Sequence, residues 1–169
     1  MPAQGGKIRA LKLSTGDNAD GPSFSPDGKQ LVFRCHSSVR DKYTVSLMVA
    51  NFKDFSLRQI KSISGLDSEL SDIMAIPKFS PDGRLIVYQD NDHEPIGGFT
   101  IIDLNGKTIA SFPFNPKEQT SYSYLGPHFS PDGNEILCWS YDFKQNANRL
   151  GNHTILTCPP KTSPHFMLE

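Results

Sequence analysis

The chain has 169 residues, and its 17 Lys+Arg against 18 Asp+Glu give a formal charge of −1. That balance provides neither a basic field for nucleic acid nor an acidic one for cationic partners. Its 13 Gly and 13 Pro interrupt the chain too often for long helices, whereas 37% hydrophobic residues, with 11 Phe, suffice for a core of short strands and turns.

The first element in chain order is an alternating run from Lys7 to Leu13, read as a strand. Around it there is no apolar stretch of about 7 to 15 residues to serve as an export signal, and no later segment reaches the ~18 apolar residues of a membrane span. A soluble protein without membrane insertion is expected, with a periplasmic or extracellular home only if a leader has been trimmed. The loop Gly16 to Gly21 has the wrong spacing for a calcium-binding EF-hand, because Gly16 falls where the first carboxylate is required.

Next comes Phe24-Ser25-Pro26-Asp27-Gly28, and the same five residues return at Phe79 to Gly83 and Phe129 to Gly133, 55 and then 50 residues on. A proline stands two positions before each copy (Pro22, Pro77, Pro127), and an apolar run follows each: Leu31-Val32-Phe33, Ile86-Val87-Tyr88, Ile136-Leu137-Cys138. Ser-Pro-Asp-Gly is a tight turn, with proline fixing φ at its second position and glycine accepting positive φ at its end. Each repeat therefore opens with a hairpin.

A third strand is expected about 20 residues later, at Thr44 to Ala50, Phe99 to Leu104 and Thr154 to Cys158, and a fourth at Leu57 to Lys61 and Thr108 to Phe112. Asn105-Gly106 supplies a favoured hairpin turn between two of them. Four antiparallel strands in each repeat make a β-propeller blade, whose two apolar faces need neighbouring blades. The expected fold class is all-β, a single propeller region over 1–169. An outer strand and linker at 7–21 precede blades at 22–76, 77–126 and 127–169, the last one short of strands. Leu66 to Met74 has apolar spacing compatible with one or two helical turns. The odd count of three cysteines, Cys35, Cys138 and Cys158, without metal-ligand spacing, points to buried free thiols.

The pattern PxFSPDGxxLxF, followed by a strand such as Phe99 to Gly106, resembles the TolB-type propeller repeat, related to the propeller domains of prolyl oligopeptidase and dipeptidyl peptidase enzymes. The resemblance implies a ring of commonly six blades, of which three are half. It also implies recognition of a protein or peptide partner. A homodimer completing the six-bladed ring and a fragment of a longer ring are both compatible with three blades.

Short turns should cluster at one end of the blades and long polar segments at the other: His36 to Lys42, Asp90 to Gly98 and Tyr141 to Asn152, with the linkers Ser62 to Ala75 and Asn115 to Gly126. Among them Asp90, Asp92, His93 and Glu94 concentrate charge in a few residues. No metal site is expected, although Asp90, Asp92 and Glu94 are oxygen donors of the kind Ca2+ takes, a pattern solvated acidic loops also show. Ser23, Lys78 and His128 occupy equivalent positions just before each FSPDG phenylalanine, on the strand that borders a propeller's channel. Tyr141 and Asp142, near Trp139 and Phe143, give the third blade an aromatic and polar edge suited to a protein partner. No G-x-S-x-G elbow, HExxH helix or phosphate loop is present. The expected function is a non-catalytic module binding a protein or peptide through its loop face and channel mouth. The alternative is the substrate-gating propeller of a peptidase whose catalytic domain lies elsewhere.

Overall fold

The computed structural model describes residues 10–13, 17–39, 42–66, 74–90, 98–112, 122–142 and 153–157. All regular structure among them is β-strand, in three antiparallel sheets. The first consists of β1 (Asn18–Phe24), β2 (Gln30–Val39), β3 (Lys42–Asn51) and β4 (Leu57–Leu66) in sequence order. The second repeats this with β5 (Ala75–Phe79), β6 (Leu85–Asp90), β7 (Gly98–Asp103) and β8 (Thr108–Phe112). The third holds β9 (Tyr122–Phe129), β10 (Glu135–Asp142) and β11 (His153–Thr157). Each sheet is one propeller blade.

The repeated turn forms in all three copies with the same bonds. In the first, Gly28 N–H donates to the Ser25 carbonyl at 2.9 Å, and Ser25 Oγ donates to Asp27 Oδ1 at 2.7 Å while accepting from Gln30 N–H at 2.9 Å. Ser80 with Asp82, and Ser130 with Asp132, repeat the arrangement. The closing glycines take φ of 68°, 71° and 76°, the left-handed region that a Cβ disfavours. The Lys29 amide and then the Ser25 hydroxyl hold Asp27 below the usual carboxylate range, and the Ser130 hydroxyl and then the Asn134 amide do so for Asp132.

Packing between blades follows from strand alternation, which sends successive side chains to opposite faces. Between the first two blades, Val32, Val45, Leu47, Val49 and Ile60 meet Phe79, Ile86, Tyr88 and Ile102. Between the second and third, Val87, Phe99 and Ile101 meet Ile136 and Cys138. Phe99 and Phe112 stack with ring centroids 4.3 Å apart. Cys35 and Cys138 are both buried, and burial pushes the Cys138 thiol up to about 11. Cys158 lies outside the described residues.

Four details depart from the sequence reading. The segment His36 to Lys42 is no long loop: β2 and β3 pair through Val39 and Lys42, leaving only residues 40–41 between them. The polar residues there extend the hairpin, with the His36 ring bonded to the Tyr43 hydroxyl across the two strands. The linker Ser62 to Ala75 is shorter than expected because β4 continues to Leu66. The ends of the expected helical stretch are otherwise employed, Leu66 in β4 and Met74 fully buried between the first two blades at φ 56°, with 67–73 outside the described residues. In the expected strand Lys7 to Leu13, residues 10–13 carry no strand; Leu11 and Leu13 instead pack against Phe33, Cys35 and Ala50 on the first blade.

Candidate functional site

The inner strands β1, β5 and β9 place the three polar candidates at equivalent register positions. Ser23 lies opposite Val32, Lys78 opposite Val87 and His128 opposite Leu137. Directly opposed residues of an antiparallel pair share a face, so each polar group sits at the inner edge of the face its blade turns toward the next blade. Ser23 and Lys78 are half-buried and His128 is exposed. Burial first, and the Lys78 ammonium second, push the His128 imidazole below its ordinary value. Lys78 and His128 thus stand on two successive inner strands, β5 and β9, which contact one another.

A bulge lies just before this row in every blade. Pairing shifts between Asp20 and Ser23, between Ala75 and Lys78, and opposite the step from Leu137 to Trp139. The residue before each proline takes positive φ: Gly21 at 60°, Ile76 at 53° and Gly126 at 59°. A β-branched residue in that region is a genuine outlier, so the middle blade holds strain where its neighbours use glycine. The inner strands also come close here, since a Cβ on Gly21 would stand 3.3 Å from Pro77 Cδ. Bulges of this kind bend a strand and re-aim its side chains.

Beyond the bulge, at the end opposite the FSPDG turns, the first blade carries a polar rim that the sequence did not single out. Arg34 donates to Asp20 from Nε at 2.7 Å and from Nη2 at 2.5 Å, a bidentate pair across β1 and β2. His36 Nε2 lies 3.6 Å from the same carboxylate, and its Nδ1 lies 2.6 Å from the Tyr43 hydroxyl. The guanidinium is largely covered while Asp20 keeps 42% side-chain exposure. A signal existed in the sequence: Asp20 and Arg34 are nearly equidistant from the first FSPDG turn, so any hairpin centred there brings them together. The group ties three strands to one another and leaves the carboxylate edge accessible to a partner.

The acidic candidate is divided. Asp90 ends β6, where its Oδ2 accepts from Thr100 Oγ1 at 2.8 Å, and Thr100 also meets Ser111 at 3.1 Å. Asp92, His93 and Glu94 lie outside the described residues. Among the described residues no cluster of three His, Cys, Asp or Glu could hold a metal ion. Tyr141 and Asp142 end β10, paired with Ser123 and Tyr122 of β9. The structure therefore separates the candidates into a row beside the short turns and a rim beyond the bulge, about 10 Å apart along an inner strand.

Comparison with solved structures identifies the fold as a β-propeller. TolB from Agrobacterium tumefaciens matches 93% of this chain and 50% of its own, at 18% identity and a TM-score of 0.57. Oligogalacturonate lyase from Vibrio parahaemolyticus matches 90% of this chain and 39% of its own, at 16% identity and a TM-score of 0.59. The propeller domain of the trilobed protease from Pyrococcus furiosus, which has an open velcro topology, matches 86% of this chain and 40% of its own, at 14% identity and a TM-score of 0.54. The chain thus spans half the length of these proteins or less. No family model and no curated protein sequence matches it. Among the described residues no helix is long and apolar enough to cross a membrane.

Proposed function

We infer that the chain is a non-catalytic propeller module that receives a protein or peptide segment along its inner strands. The observation that carries this reading is the alignment of Ser23, Lys78 and His128 at equivalent register positions on three successive inner strands. An ammonium and an imidazole on neighbouring inner strands can donate to the carbonyls or carboxylates of an extended segment, and Ser23 can donate or accept. The rim of Asp20, Arg34, His36 and Tyr43 offers a second polar contact farther along the same channel. Its groups are engaged with one another, which suits recognition better than bond making.

Selection of displayed peptides on the purified chain tests this. Enriched peptides should bind at least ~10-fold more weakly to Lys78→Ala/His128→Ala, the loss of about one good polar contact. Lys29→Ala, on the short-turn side, should leave binding intact. Peptides insensitive to the double substitution would remove the row from the site, and failure to enrich any would remove the reading.

The likeness to the trilobed protease propeller favours a second reading, a substrate-gating segment of a hydrolase. Reading the genomic sequence beyond residue 169 separates the two: a nucleophile elbow with its acid and base would establish the hydrolase, and an immediate stop codon would eliminate it.

A further inference from the structure

We propose that the inner-strand site takes a short zwitterionic peptide, its ammonium at Asp20 and its carboxylate at Lys78 and His128, a proposal that rests on the reading of the inner strands as a peptide-binding surface. That reading by itself requires neither a direction nor a length for the peptide. The charges along the inner strands supply both.

At the rim, the pair of Asp20 and Arg34 turns its negative pole outward, since the carboxylate keeps 42% side-chain exposure and the guanidinium 11%. The Arg34 fork covers one edge of the carboxylate, and the exposed edge keeps lone pairs that can accept from an ammonium. His36 Nε2, at 3.6 Å, stands beyond hydrogen-bond distance of the same group. In the row the sign is reversed. Lys78 is half-buried, and among the described residues no carboxylate pairs with it. His128 stands on the neighbouring strand, which β5 contacts. The turn carboxylates Asp27, Asp82 and Asp132 accept from serine hydroxyls and amides of their own turns. A partly covered ammonium without a counter-charge gains most from a carboxylate that arrives with the ligand.

The separation of the poles sets the length. Asp20 and Ser23 are three residues apart on β1, about 10 Å of strand, and Lys78 and His128 share the register position of Ser23. Between these levels the first two inner strands touch, with Pro77 Cδ 3.3 Å from the Cβ position of Gly21. An extended chain covers at most ~3.3 to 3.6 Å per residue, so about three residues join the poles. The stretch between them consists of Gly21-Pro22, Ile76-Pro77 and Gly126-Pro127. None of these is charged, the prolines offer no N–H, and Ile76 is 39% exposed. The middle of the site therefore suits an apolar residue, and recognition falls to the two ends. A longer chain can bring the same charges on a lysine and an acidic side chain, whereas a free tripeptide carries them on its termini at the matching distance.

Calorimetric titration of the 169-residue chain with Ala-Leu-Ala, and with the same tripeptide N-acetylated or C-amidated, tests this. Each cap should weaken binding at least ~10-fold, the loss of about one charged contact. In Lys78→Met the amide cap should make no further difference while the acetyl cap still weakens binding, and in Asp20→Asn the reverse should hold. Lys78→Met, remote from the Arg34 pair, keeps the test decisive if Asp20→Asn does not fold. Equal binding with either end capped would overturn the proposal, as would cap effects that persist in the variants, or no binding of the free tripeptide. Displayed peptides selected through Lys78 and His128 would in each of those cases still support the wider reading, so the two fail separately.

Discussion

The middle blade and the first blade carry the same motif in different surroundings. Phe79 is buried against Val32 and Leu47 of the preceding blade, whereas Phe24, the same residue of the same motif, is 64% exposed beside Phe52, their ring centroids 5.7 Å apart. A blade's own sequence thus sets the hydrogen bonds of its FSPDG turn, which are alike in all three copies, while its neighbour sets what its apolar residues contribute. The largest effect expected from this difference is in paired truncations. Phe79→Ala should cost about 3 to 5 kcal/mol, as buried aromatic truncations do, and Phe24→Ala about 0.5 kcal/mol or less. Both are to be measured by urea unfolding of the chain. Equal costs would mean that the environment of the motif is irrelevant.

A second way to break the comparison uses the seam between the first two blades. Gly106 turns at φ 84° between β7 and β8, and a Cβ there would lie 2.0 Å from the Ile60 carbonyl oxygen of the first blade. Neither atom is the end of a flexible side chain, so Gly106→Ala must shift one blade against the other. A loss of about 3 kcal/mol is expected, at the upper end of backbone strain alone. An unchanged unfolding midpoint would show that the two blades are not seated as described.

The blades were legible because FSPDG sets strand, turn and strand in eight or nine residues through local chemistry alone. Two strands of the middle repeat were given bounds: β7 fell within a residue at each end, and β8 at Thr108–Phe112 without error. What was not legible depends on residues far apart in the chain. Polar composition at His36 to Lys42 suggested a loop because the run His36-Ser37-Ser38 lacks the apolar alternation by which a strand is read. Asp20, Arg34, His36 and Tyr43 become a group only once β1, β2 and β3 are in register. The place of Ser23, Lys78 and His128 beside the short turns follows from their adjacency to FSPDG, whereas the face they share with Val32, Val87 and Leu137 required the register. The bulges were hidden for another reason: the residue before each proline is Gly, Ile and Gly, and the isoleucine obscures the shared backbone requirement.

That isoleucine sharpens the comparison at a smaller scale. Ile76 holds φ 53° with its side chain 39% exposed, so relief of left-handed strain, worth about 1 kcal/mol, competes with a modest loss of apolar contact. Ile76→Gly should therefore stabilise the chain slightly, by about 0.5 kcal/mol. Gly21→Ala, at the same place in the first blade, should destabilise it by about 1 to 2 kcal/mol, because it adds both strain and a Cβ against Pro77. Differential scanning of the two variants reads the signs directly. Destabilisation by both would show that Ile76 is held by packing rather than tolerated against strain.

The smallest effect concerns pH and compares His128 with a histidine free in the unfolded chain. Burial and Lys78 lower the folded pKa of His128 below 6.5, so the unfolded state binds more protons between the folded value and 6.5. Stability contributed by the neutral imidazole is therefore fully present above about pH 6.5 and is lost as pH falls toward the folded pKa. The group is too exposed for a large change. His128→Asn should flatten this part of the stability profile, and Lys78→Met should raise the His128 pKa in an NMR titration without abolishing its depression, because burial is the larger cause. A His128 pKa that does not move in Lys78→Met would mean that the two side chains do not sense each other across β5 and β9. The inner-strand row would then be three separate residues and not one surface.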